Sequence, residues 1–180
     1  MSELRPDSIG RPVTPRAMIA LPPELPYRDM RHTRDDVVRR TVEEFERLDR
    51  LIERLRPQDW DCRVARPEGR DPWTVKDALV HIVWWKELTT RVIRRQRRPP
   101  EFRGLDVPEV NRIVYERWRD RPAAEVVEWH RRVHEDALRA LTDTPGEWFG
   151  QRERSPAWPG DFDGHSASHR VRDMEAAIAS

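Results

Sequence analysis

Apolar residues fall along this chain at helical intervals. Val37, Val38, Thr41, Phe45, Leu48, Ile52 and Leu55 recur at three-and-four spacing, which predicts a helix from about Thr33 to Leu55. Thr33 is a suitable N-cap, Asp35 and Asp36 suit a first turn, and Arg56-Pro57 ends the run. A second stripe, Val75, Ala78, Leu79, Ile82, Val83, Trp85 and Val92, follows Thr74, with Asp77 placed for a capping box. It fades into Arg94, Arg95, Arg97 and Arg98 and stops at Pro99-Pro100. A short helix is expected from about Val107 to Arg119. A third long one follows Pro122, with Ala123, Val126, Val127, His130, Val133, His134, Ala137, Leu138 and Leu141 facing inward. Residues 143–162 read as loop, and a last helix runs from near Asp163 to about Ile178. Six prolines before residue 33 predict an extended N-terminal arm over 1–32, ahead of a single domain at 33–180. No stretch alternates convincingly enough for a strand, so the pattern predicts an all-α bundle of four long amphipathic helices.

Composition narrows the partners. The 180 residues are 37% charged, yet the formal net charge is only +1, with both signs interspersed on the helical faces. That balance, with no known nucleic-acid-binding module, predicts no nucleic-acid partner, although the arginine run could touch phosphates. No window approaches a membrane span and no secretory signal is visible. One cysteine, Cys62, excludes an intramolecular disulfide and suits a reducing, cytoplasmic setting.

The candidate chemistry lies in histidines. His165 and His169 are four apart on the expected last helix, so both imidazoles can face one centre, and Asp173 extends that face by a turn. His81 interrupts the apolar run from Ala78 to Trp85 and needs either hydrogen-bond partners or a metal. His130 and His134 repeat the four-residue spacing, but neither pair has the glutamate of a zincin motif. His134 is a candidate general acid or base, weighed against a plain structural role. No nucleophile elbow, phosphate loop or Cys-x-x-Cys is present. Of the eight tryptophans, Trp73, Trp84 and Trp158 are placed to line an apolar pocket.

The stretch Asp71-Pro-Trp-Thr-Val-Lys-Asp-Ala-Leu-Val-His81 resembles the second-helix signature of the DinB-like superfamily. Asn111-Arg-Ile-Val-Tyr115 through Pro122, then Glu125-Val126 and His134, resembles its ClbS/DfsB branch, and residues 33–178 fit that layout. The resemblance implies an up-down-down-up four-helix bundle, often a homodimer, with a divalent metal (zinc, nickel or iron). The ligands would be His81 with His165 and His169, or, in a shifted register, His81 with His169 and Asp173. It implies action on a small electrophile. This would be either thiol-dependent transfer or isomerisation with mycothiol or another low-molecular-weight thiol, or a ClbS-like self-protective hydrolysis. The alternative is a bundle that sequesters a small molecule without catalysis.

Overall fold

The computed structural model describes residues 33–65, 73–150 and 171–179. Six α-helices are present there: α1 (Arg34–Glu53), α2 (Val75–Ile93), α3 (Val107–Trp118), α4 (Ala123–Asp143), α5 (Gly146–Gly150) and α6 (Val171–Ile178), with 3-10 turns at Pro57–Asp61 and Pro100–Phe102. The N-terminal arm, and the part of the expected last helix before Val171, lie outside the described residues.

The caps form where the sequence placed them. Thr33 Oγ1 accepts the Asp36 N–H at 3.1 Å. Thr74 and Asp77 close a reciprocal box, with the Thr74 N–H on Asp77 Oδ2 at 2.9 Å and the Asp77 N–H on Thr74 Oγ1 at 3.3 Å. Asp106 and Glu109 form a further box at the start of α3, one the sequence reading did not single out. Each box satisfies two backbone donors that a helix start leaves open.

Side-chain contacts set the topology. On α1, Asp49 meets Arg131 at 3.3 Å and Arg34 meets the Thr142 carbonyl at 3.5 Å, so α1 and α4 run antiparallel. Glu87 accepts the Trp129 indole N–H at 2.8 Å and Asp136 accepts from Arg94 at 3.2 Å; equal advances along both helices make α2 and α4 parallel. That parallel pair needs a return path, and α3 supplies it. Lys76 Nζ donates to the Arg119 and Arg121 carbonyls at 2.6 and 3.0 Å, while Trp85 reaches Asn111, so α3 runs back along α2. The helix α6 closes the up-down-down-up bundle by burying Val171 and Met174, with Arg47 and Glu175 paired at 3.5 Å.

Two apolar clusters fill the bundle. The larger includes Leu48, Leu51, Leu79, Ile82, Val83, Trp84, Phe102, Val126 and Met174. The smaller holds Val37, Ile93, Ala137, Ala140, Leu141 and Phe149. Burying each large side chain is worth about 1.5–3 kcal/mol. Two readings of the pattern need correction. Val92 is exposed and Ile93 takes the inward place, because the α2 stripe continues at three-and-four spacing from Ile82 through Lys86 and Thr90. The expected loop after residue 143 contains α5, whose terminal glycines hid a turn that buries Phe149.

Candidate functional site

Two constellations collect the chemistry-bearing residues. The first is a narrow crevice of about 10 Å³ between α2 and α3, lined by Trp73, Asp77, Val80, His81, Asn111, Val114 and Tyr115. His81 is only 8% exposed yet reaches this crevice. Local backbone pairing places its cover: Val64 N–H donates to the Trp73 carbonyl and Val75 N–H to that of Cys62, both at 2.9 Å. Trp73 is thereby held over His81, with ring centroids 5.0 Å apart, and Trp85 stands edge-on to the same imidazole at 6.2 Å. Trp85 donates its indole N–H to Asn111 Oδ1 at 3.1 Å. The Asp77 carboxylate accepts from both the backbone N–H and the hydroxyl of Thr74.

The second constellation is a buried polar layer between the two apolar clusters. On α1 it falls between Val37 and Leu48, on α2 between Trp84 and Ile93, and on α4 at His130 and His134. Lys86 donates to Glu44 Oε2, with side chains 2% and 4% exposed. Thr41 and Thr90 turn their hydroxyls back onto carbonyls one turn earlier, at 2.7 and 2.9 Å. Phe45 stacks on His134 at 3.8 Å and on His130 at 4.8 Å. His130 is fully buried, and neither of its nitrogens has a hydrogen-bond partner among the described residues; nor has His134 Nδ1. Burial, reinforced by the Lys86 charge, His134 and Arg131, pushes the His130 pKa down to about 2. Burial and Lys86 push His134 down to about 4, against an upward pull from Asp49. Both imidazoles are therefore neutral at physiological pH.

The expected site residues divide accordingly. His81 lines the crevice. His134 lies in the polar layer and does not line the crevice. Asp173 is half-buried on α6, one position before fully buried Met174. His165, His169 and Trp158 lie outside the described residues. Among the described residues no three metal-ligating side chains converge. Trp73 lines the crevice as expected, whereas Trp84 packs on Phe102 in the core. Sequence reading missed the burial of Glu44 and Lys86. Lys86 is one of two lysines in an arginine-rich chain and continues the apolar face from Ile82, while Glu44 falls on the stripe between Thr41 and Leu48.

Residues 41–177 match the family described as mycothiol maleylpyruvate isomerase N-terminal domain. The chain belongs to this family. It is a mycothiol-related protein of the DinB-like superfamily, and the superfamily is the one that the Trp73-to-His81 signature implied. No functionally curated protein matches the chain. Among solved structures, an uncharacterised protein from Escherichia coli UTI89 shares 13% identity, with a TM-score of 0.61 over 81% of this chain and 88% of that one. The colibactin self-resistance protein ClbS, in complex with a double-stranded DNA, shares 11% identity, with a TM-score of 0.56 over 82% of this chain and 92% of that one. These likenesses establish a ClbS-type, DinB-like helical fold for this member of the mycothiol maleylpyruvate isomerase N-terminal domain family. They also correct the exclusion of nucleic acid. A protein of this fold is seen on DNA, so balanced net charge is no ground for excluding such a partner; local clusters, not the sum, meet phosphates. No described helix is long and apolar enough to cross a membrane.

Proposed function

We propose that this chain is an enzyme that uses mycothiol or a similar small thiol to transform a small electrophile at the His81 crevice. The observation that carries the reading is an imidazole almost wholly withdrawn from solvent that still lines the mouth between α2 and α3, in a chain of a mycothiol-related family. Such an imidazole suits a divalent metal, since a neutral ring nitrogen on a bundle's inner face is a standard donor for zinc, nickel or iron. The other donors would be His165 with His169, or His169 with Asp173. When bound, the cation would lower the pKa of a thiol and keep it as thiolate. The chain's own part is placement. Trp73 and Trp85 wall His81 from water, and the Asp77 carboxylate is engaged with Thr74.

The test is consumption of maleylpyruvate and of a generic alkylating electrophile by the purified protein, with and without mycothiol. Turnover only with mycothiol supports the reading. Turnover by water alone favours a ClbS-like hydrolase. Quenching of indole fluorescence without turnover favours sequestration.

One observation favours a second reading, contact with nucleic acid. Arg94, Arg95, Arg97 and Arg98 crowd the end of α2, and Arg95 and Arg97 make no ion pair among the described residues. Binding of a labelled DNA duplex that weakens with salt, and weakens again in an Arg95→Ser/Arg97→Ser variant, supports it; no binding at low salt removes it.

A further inference from the structure

We infer that Asn111 and Tyr115 form an oxygen-binding subsite opposite His81, which receives a carbonyl or carboxylate oxygen of the electrophile. The inference rests on reading the crevice as the reaction centre and adds the chemical class of group that enters it. An indole N–H can only donate, so the Asn111 branch that faces Trp85 must be the amide oxygen, as found at 3.1 Å. That bond fixes the flip of the amide and turns its NH₂ away from Trp85. The NH₂ has no protein acceptor among the described residues.

Tyr115 follows Asn111 by four residues, so the two share a face of α3, and both line the crevice. The Tyr115 hydroxyl likewise has no hydrogen-bond partner among the described residues. No lysine or arginine lines the crevice. The one carboxylate there, Asp77, already accepts two bonds from Thr74. Two neutral donors with no competing cation select an oxygen acceptor on the incoming molecule. The size fits this role. About 10 Å³ is room for roughly one water-sized atom, so the crevice seats a single oxygen of a larger molecule and not a whole ligand. The Trp73 ring beside it offers a flat face to a planar, unsaturated carbon next to that oxygen.

The test uses the full chain and two probes, pyruvate and maleate, followed by the side-chain amide signals in a nitrogen–proton correlation spectrum. The Asn111 NH₂ pair is assigned by its loss in Asn111→Asp. The expected result is a saturable shift of that pair. Tyr115→Phe should weaken binding roughly 3–10-fold, the worth of one hydrogen bond. Asn111→Asp, which keeps the acceptor for Trp85 but replaces the donor by a carboxylate, should abolish it. Circular dichroism checks that each variant folds, and Tyr115→Phe removes a single oxygen, so the test survives if Asn111→Asp does not fold. An Asn111 pair that does not move with either probe, or a Tyr115→Phe protein that binds as tightly as wild type, overturns the inference. This readout needs neither metal nor thiol. A protein that binds the probes through Asn111 yet shows no mycothiol-dependent turnover keeps the subsite and loses the thiol reading. Thiol turnover with an unchanged KM in both variants does the reverse.

Discussion

Acid should destabilise this bundle through its central layer, and the size of the effect follows from two histidines. His130 and His134 are buried as neutral imidazoles, with folded-state pKa values of about 2 and about 4 against 6.5 for an ordinary histidine. Glu44 and Asp49 from α1, Lys86 from α2 and Arg131 on α4 are the charges around them. Because the folded pKa values are depressed, the unfolded chain takes up protons first as pH falls below 6.5. Stability is fully present above that value and is lost progressively toward pH 4 for His134 and pH 2 for His130. At pH 5 the linkage integral gives about 2 kcal/mol for each residue, or about 4 kcal/mol together, relative to neutral pH. That is a large part of the ~5–15 kcal/mol that holds a typical domain folded. The assay is denaturant unfolding at pH 7.5, 6 and 5 for wild type and a His130→Leu/His134→Leu variant. Leucine matches the volume, removes the unpaired nitrogens and cannot titrate, so the variant should be within about 1 kcal/mol of wild type at pH 7.5. At pH 5 wild type should have lost about 4 kcal/mol more than the variant. Histidines elsewhere titrate equally in both proteins and cancel. Parallel pH profiles would refute the reasoning.

Other substitutions probe neighbouring features. Lys86→Ala leaves the Glu44 carboxylate buried without its ammonium and should cost about 3–5 kcal/mol in chemical denaturation, while a Glu44→Leu/Lys86→Met pair should recover most of that. Recovery by the pair is the discriminating outcome, since simple loss of packing would leave the double variant as weak as the single one. Thr74→Ala removes the cap of the helix that carries His81, and should lower stability by about 1 kcal/mol. The same change should loosen Trp73 over His81, read as a red shift in tryptophan emission; unchanged emission would show that backbone pairing alone holds the indole.

The bundle was legible because its helices are amphipathic and locally capped. Thr33, Thr74-Asp77 and the proline before Ala123 mark starts that tertiary packing had no reason to override. The superfamily signature identified His81, and the structure seats that residue in a crevice. Residue types at helical spacing cannot show which facing side chains meet across the core, so Glu44 and Lys86 read as solvated charges when each is the other's partner. Asn111 and Tyr115 stood in a quoted motif, yet their role depends on the α3 return path, which follows from long-range contacts to Trp85 and Lys76. Nor could net charge speak to nucleic acid, because it averages the α2 arginine run against acids elsewhere.

Elemental mass spectrometry of the purified, untagged protein tests the central role of His81 most directly. About one equivalent of zinc, nickel or iron should accompany the wild-type chain and be lost from a His81→Ala variant that keeps its helical circular dichroism. A wild-type protein that takes up no metal after incubation with excess divalent ions, or a His81→Ala protein that retains its full complement, would contradict a metal-assisted thiol centre at the crevice.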